Sequence, residues 1–556
     1  MLLLLLFWGL SFLALTVVGV ATYSLFDKEM KDGRLTDFFF MGLVVSATLS
    51  SFASIIVPIN SAFQIGFFTT VGLVGLIRRQ ALKNGWKRVK EDVQQYNSVH
   101  KLLLIFVVVF TAMVGAKEIW VSDTWLYHAQ NIKWIKNYPV LPGLAYLQPQ
   151  LGYNSLFFPL AALFSVDFTT FSSAINATIF PLNGVVLLVL LGQLLHYFFR
   201  YLKRAVCWKS VFYLLVFGAS FLLLLRSASS ANPDLVCAVI TIYCVLFFLE
   251  KKADDSTRSL LLMTGLISVC VGFKLSTILL GLLLLPLLYQ NFSIDKLLLV
   301  SSLGLFLMAP FFIRNYYLSG YLIFPFPSID IFQPDWKVPL KVVADEKVVI
   351  ENWGRGLRHI TKTPFSEWFP AWWQRKDLFE TPILLANLAI LFTLFVFIKN
   401  KQWTIVGLQI FVLLSGLFWF LNAPDVRFAY GVLFVGAGFS IASFFLFPFL
   451  RKQMNPKRLL FGLVLAILVS VNFHKLHIKD VVTNPFKWVL PMGFNLSETE
   501  KIITNLTLYR PTNRGTCANH PLPCSSRILK ISPNSQLFLR NGVDFSDGFI
   551  VKEIEN

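Results

Sequence analysis

Apolar runs of about 17–25 residues, the length that carries an α-helix across a bilayer, follow one another along most of this chain. That pattern leaves few folds open, because in lipid every backbone N–H and C=O must be paired within the spanning segment itself. Runs and breakers together give about fourteen spans, beginning near residues 3, 37, 62, 102, 174, 210, 234, 259, 275, 297, 382, 403, 428 and 459. The pairs at 37/62 and 259/275 are close enough for each to be one broken helix. The opening MLLLLLFWGL lacks a basic flank and a small-residue cleavage site, so it reads as a first span rather than a signal peptide. Charged residues make up 14% of the 556 residues, against about 25% in soluble domains, and mean hydropathy is +0.65. The expected fold is all-α: a polytopic transmembrane bundle of about 14 spans with outer-face loops and interfacial helices.

A net charge of +19 raises the question of nucleic acid. The basic residues, however, sit in short loops between apolar runs, as in RRQALKNGWKRVK (Arg78 to Lys90), Arg200/Lys203/Arg204/Lys209 and Arg451/Lys452/Lys457/Arg458. That placement marks cytoplasmic loops, and its natural partners are anionic membrane lipids, not nucleic acid. With those loops inside, three longer segments fall outside: 119–173, 314–381 and a tail from about residue 474. The chain then divides into an N-terminal group of helices with a basic cytoplasmic loop (1–100), a transmembrane core with two outer loops (101–473) and an extracytoplasmic tail (474–556). Cys517 and Cys524 lie in that Pro-rich tail with six residues between them, and an oxidising compartment makes a disulfide plausible.

The outer segments hold the residues that chemistry would need. Ser122 to Asn137, SDTWLYHAQNIKWIKN, reads as an amphipathic helix ended by Tyr138-Pro139. In helical phase Asp123, Tyr127, Gln130/Asn131 and Trp134 share a face, while His128 lies over Thr124. Ionisable groups at a membrane boundary are costly and mark function by default, although Asp123 is also placed to cap the helix that follows. Glu118 is a second carboxylate there. Leu156 to Val166 is too short to span and reads as interfacial. Asp234 opens a span behind Pro233, where a cap is the plainer role. Lys274 sits in a long apolar stretch and needs a partner, a bound anion being one option. Arg314 and Asn315 end another span, where arginine either snorkels or clamps a phosphate. Arg427, in NAPDVRFAY, is a further cation beside Asp425. Five tryptophans, Trp336, Trp353, Trp368, Trp372 and Trp373, crowd the second outer segment, where interfacial anchoring is the ordinary reading and sugar stacking the sharper one.

No Walker loop, GxSxG elbow or HExxH pattern occurs, which argues against nucleotide-driven transport, serine hydrolysis and zinc proteolysis. No cofactor is expected. One His beside one Asp is thin support for a divalent metal.

Spread over residues 102–450, SDTWLYHAQNIKWI with PVLPGLAYLQPQLGYNS, the PDL that opens a later span, the break at Lys274, APFFIRNYYLSGYLIFPF and PDVRFAYGVLF occur in an order that resembles the GT-C superfamily of membrane glycosyltransferases. It looks closest to a bacterial branch acting at the extracytoplasmic face of the inner membrane. The resemblance implies a polyprenyl-phosphate-sugar donor, a glycan, lipid or protein acceptor, Asp123 as base or positioner of the acceptor hydroxyl, and Lys274, Arg314 and Arg427 on the lipid phosphate. His128, Tyr127, Asp234 and Asn315 would line the substrate site. About three extra spans before residue 100, and a lone Ser122-Asp123 in place of a paired acidic motif, depart from better-known members and favour metal-independent inverting transfer. The alternatives are a polysaccharide polymerase or ligase, a lipid-linked sugar flippase or other transporter, and a non-catalytic assembly subunit.

Overall fold

The computed structural model describes the chain apart from residues 28–29, 31–32, 95, 118, 120, 169–177, 205–206, 251–256, 290–291, 448–454, 485, 490–498, 504–506, 513–515, 527–534, 543 and 554–556. Glu118 and the Arg451/Lys452 pair therefore lie outside the described residues.

Helices α1 (Leu2–Tyr23) and α2 (Leu35–Ile56) open the chain, and α3 (Ser61–Ile77) turns through 85° into the basic α4 (Arg79–Gln94). After α5 (Ser98–Gly115) comes a first insert, with a π turn at Thr124–His128, α6 (Ala129–Asn137) and α7 (Phe157–Phe164). The centre of the bundle is built from α8 (Leu182–Arg204), α9 (Trp208–Leu223), α10 (Pro233–Glu250) and α11 (Thr257–Phe273). At Lys274 the chain goes extended, then winds as a 3-10 helix (Leu275–Leu284) into α12 (Leu285–Tyr289) and α13 (Ile294–Ser319). A second insert carries α14 (Leu340–Gly354) and α15 (Phe365–Gln374). Next come α16 (Glu380–Leu388), bent by 46° into α17 (Ile390–Lys399), then α18 (Trp403–Asn422), α19 (Tyr430–Ser443) and α20 (Pro456–Phe473). Short helices α21 (Lys475–Thr483) and α22 (Phe486–Val489) lead to a tail of antiparallel hairpins, β3 (Thr499–Ile503) with β4 (Thr507–Pro511) and β5 (Ser535–Leu539) with β6 (Phe549–Glu553). A two-residue pair, β1 (Val166–Asp167) with β2 (Thr178–Ile179), closes the first insert.

This is a multi-pass helical membrane protein. Among the described residues ten helices are long and apolar enough to cross a membrane, or up to twelve if the bent pairs α3/α4 and α16/α17 each count as one span. The expected count of fourteen exceeds this because α11 and the segment after Lys274 are shorter apolar helices, separated by the break at that lysine.

Glycine sets the α1–α2 crossing. A Cβ on Gly19 would fall 1.6 Å from the Phe38 carbonyl oxygen, and one on Gly42 1.8 Å from that of Leu15. Helices approach this closely only through small residues, as at many membrane helix interfaces. The expected interfacial piece 156–166 differs from what the structure shows: all eight residues of α7 are buried. Its entrance is pinned to α11, with Leu156 N–H donating to Gly272 O (3.0 Å) and Ser155 Oγ to Phe273 O (2.8 Å). Helix–helix packing on all sides, not lipid, receives its apolar surface.

A second hydrophobic core lies apart from the bundle. Trp134, Tyr146 and Leu147 of the first insert, Tyr321 and Val343 of the second, and Leu508 and Phe549 of the tail share it. Three distant segments thus form one cap on a single side of the bundle. Gly143 and Gly548 allow the junction: both have positive φ (67° and 87°), and a Cβ on Gly143 would lie 2.1 Å from Phe549 O and one on Gly548 2.2 Å from Pro142 O.

Candidate functional site

The π turn Thr124–His128 directs the first group of site residues. Its widened register, closed by Ala129 N–H to Thr124 O, inserts one extra residue into the turn, and such turns often accompany functional sites. Asp123 precedes this turn and makes no side-chain capping bond. The carboxylate instead meets Arg427, Oδ2 to Nη2, at 2.8 Å. The same guanidinium reaches Asp425 through Nε at 3.1 Å, so one planar fork holds two carboxylates.

The second half of the site comes from α10 and the break after α11. Asp234 was expected to cap α10, but that role falls to Asn232, whose Oδ1 accepts from Asp234 N–H at 3.0 Å. Relieved of it, the Asp234 carboxylate pairs with Lys274 Nζ. Lys274 is free to turn inward because its backbone is extended (φ −156°, ψ 115°), between two helical segments. Its ammonium lies 3.3 Å from the centroid of Phe428, the ring that also has the Arg427 guanidinium carbon at 5.0 Å. Both ion pairs therefore share one aromatic ring, a favourable place for a cation.

His128 and Tyr127 of the first insert lie within electrostatic reach of this cluster. Their rings meet edge to face at 4.4 Å, and His128 Nδ1 stands 3.4 Å from Thr124 Oγ1. Burial holds the imidazole down to about 3, with Arg427 and Lys274 adding to that effect and Asp234 opposing it. His128 is thus neutral across physiological pH. Burial, and then Asp123 and Asp234, push the Tyr127 phenol well above its ordinary value, leaving a neutral hydroxyl to donate or accept.

Two of the expected residues lie elsewhere. Arg314 is buried on α13 and neither snorkels nor joins the two ion pairs; it donates to Ser54 Oγ (2.8 Å) and Asn154 Oδ1 (3.3 Å), tying α2 to the loop before α7. Asn315 donates to Phe311 O (3.1 Å), inside its own helix. Trp134, expected on the Asp123 face, enters the core of the cap beside Phe549 at 5.8 Å. The π turn supplies the reason, since it shifts the helical phase between residues 123 and 134.

Trp372 of the second insert and Trp419 of α18 serve the Arg427 turn. Trp372 Nε1 donates to Pro424 O at 2.6 Å and Trp419 Nε1 to Asp425 O at 2.7 Å. Both indoles are buried, Trp372 against Trp368 and Phe420 and Trp419 against Trp372 and Phe420, so these two neither anchor in lipid nor present an open face to a sugar, whereas Trp353 is exposed. Arg355 lies over Trp368 at 5.2 Å. Sequence reasoning missed this role because an indole N–H gives no sign of which carbonyl it will find.

The tail adds a clamp. Cys517 and Cys524 are bonded to each other, and their loop sits on the first insert. Ala518 N–H donates to Trp125 O (2.9 Å), while Gln130 Nε2 donates to Ala518 O (3.1 Å) and His520 O (3.0 Å). Among the described residues no group of three or more His, Cys, Asp or Glu side chains is placed to hold a metal ion.

No curated protein and no solved structure matches the chain. A family match spans residues 1–434, which takes in all four charged residues of the two ion pairs. On that match the chain belongs to the family described as Domain of unknown function (DUF8201).

Proposed function

We propose that this protein is a GT-C-like glycosyltransferase, moving a sugar from a polyprenyl-phosphate donor to a cell-envelope acceptor at the extracytoplasmic face of a bacterial inner membrane. One observation carries the reading: Asp123, Arg427, Asp234 and Lys274, from four separate segments, meet as two ion pairs around Phe428. A carboxylate for the acceptor and cations for the leaving phosphate are the two requirements of metal-independent transfer.

In this reading the acceptor hydroxyl oxygen attacks the anomeric carbon. The bond from that carbon to the phosphate oxygen breaks, and its electron pair leaves on the lipid phosphate. The hydroxyl proton passes to Asp123. Both cations are already paired in the resting site, and three carboxylates face them, so a phosphate enters by exchange. It takes the Nη2 edge of Arg427 from Asp123, which frees that carboxylate to accept the proton. The departing phosphate gains a negative charge as the bond breaks, so cations held in place around it act most strongly in the transition state. Neutral His128 and Tyr127 are hydrogen-bonding groups for the sugar or acceptor rather than acids.

Sealed proteoliposomes containing the full chain and a labelled polyprenyl-phosphate sugar separate this from transport: covalent transfer that stops in Asp123→Asn supports the enzyme, and lipid translocation without transfer supports a flippase. Retained activity in Asp123→Asn with loss in Arg355→Ala favours a polymerase or ligase.

A further inference from the structure

The opposite flank of α6 lines a different space. Lys133 and Lys136, one turn apart with Ala129 and Ile132, face a cavity of about 630 Å³. The first turns of α3, the β1–β2 pair and Asn519 of the disulfide loop complete its walls. Neither ammonium has a carboxylate at ion-pair distance among the described residues. Lys133 donates to Asn519 O (2.9 Å) and His520 O (3.2 Å), and Lys136 to Ser165 O (3.1 Å). Among the described residues Asp167 is the one acidic side chain in the lining, so there two positive charges oppose one negative charge.

The walls are fixed. Gln64 Nε2 binds three carbonyls at the end of α7, those of Ala162 (2.8 Å), Leu163 (3.2 Å) and Ser165 (2.8 Å). The N-terminus of α3 opens on the same space, with Asn60 capping Phe63 N–H at 3.1 Å, and a helix start adds partial positive charge. Burial draws both lysines below their usual range, with Asp167 opposing it. An anion in the cavity would reverse that shift.

The other side of the cavity is apolar and open. Ile65 and Phe68 of α3 line it and are 67% and 39% exposed, and the exposed apolar surface continues along the helix through Leu73, Leu76 and Ile77. A head-group-sized cationic cavity that runs out onto an uncovered apolar helix matches one kind of molecule. We infer that Lys133 and Lys136 bind the phosphate of an anionic membrane lipid whose chains lie along α3. Lysine serves phosphate as a point charge, and α3 offers a hydrocarbon surface where a free anion would need none. This site is independent of the transferase reading. Through Lys133 it links a bilayer lipid to the disulfide loop that clamps α6.

The test uses the full chain, delipidated and returned to nanodiscs of phosphatidylcholine doped with phosphatidylglycerol of the same chains, with bound lipid read by native mass spectrometry. Retention of phosphatidylglycerol over phosphatidylcholine is expected, with a loss of about fivefold in Lys136→Gln, the share of one lysine near a charged surface, and recovery in Lys136→Arg. Lys136 is the residue to change because Lys133 also holds the tail, and an unchanged melting temperature shows that the variant has folded. Equal retention of the two lipids overturns the site, as does undiminished phosphatidylglycerol in folded Lys136→Gln. Displacement of the lipid by millimolar inorganic phosphate makes it a free-anion site and overturns the lipid assignment.

Discussion

Arg427 touches Asp123 through Nη2 and Asp425 through Nε, so one guanidinium fixes a carboxylate from the first insert and another from its own turn. Lysine keeps the charge but not the fork. Arg427→Lys should therefore fold and retain only a small part of the activity, about 1% or less if transition-state charge is the lost term. Steady-state transfer assays with a labelled donor check this, and a wild-type rate in Arg427→Lys would remove the fork from the account.

Trp372 and Trp419 hold the turn that carries Arg427. Trp372→Phe keeps the ring packing and loses one hydrogen bond to Pro424 O, a cost of about 1 kcal/mol. The expected result is a melting temperature lower by a few degrees and a larger fall in turnover than in stability alone. Thermal unfolding in detergent alongside turnover tests it; a loss of stability with unchanged turnover would make the indole purely structural.

His128 is buried neutral, with its folded pKa near 3 against an ordinary value of 6.5. Because the folded value is the lower one, its contribution to stability is whole above about 6.5 and is lost as the pH falls toward 3. His128→Gln should flatten the stability profile between pH 6.5 and 4 while leaving activity near pH 7–8 without a new ionisation. Denaturation midpoints measured across that range decide it, and parallel slopes for the two proteins would contradict it.

Breaking the Cys517–Cys524 bond should loosen the first insert from a distance, because the loop it closes bonds Trp125, Gln130 and Lys133. For a loop this short the stability loss is about 2 kcal/mol. Hydrogen exchange in Cys517→Ser/Cys524→Ser should rise in residues 124–137 and stay unchanged in α8 to α10. Unaltered exchange in 124–137 would show that the tail does not brace the site.

The bundle was legible in the sequence because lipid enforces it: long apolar runs announce their own helices, and Lys274 announced its own break. The charged residues of the candidate site stood out for a related reason. Asp123, Asp234, Lys274 and Arg427 are charges where charges are costly. Their pairing was not legible, since Asp123 meets Arg427 only after the whole bundle has closed. Local signals also misled. Asp234 reads as a helix cap, but Asn232, just before the helix, fills that role, and α7 reads as interfacial but is enclosed by packing. Arg314 looked like a companion to the other cations because it ends a span, yet its guanidinium spends itself on Ser54 and Asn154. The π turn at Thr124–His128 leaves no mark in a periodicity analysis, and it is what sends Trp134 into the cap while Tyr127 and His128 stay within electrostatic reach of the ion pairs.

The most direct test is a single-turnover assay of the purified full chain with a panel of polyprenyl-phosphate hexoses and pentoses and a cell-envelope glycan extract as acceptor, reading release of polyprenyl phosphate. The account predicts protein-dependent release for at least one donor, reduced by about 100-fold or more in folded Asp123→Asn, as for loss of a general base. Release from Asp123→Asn at the wild-type rate would contradict it.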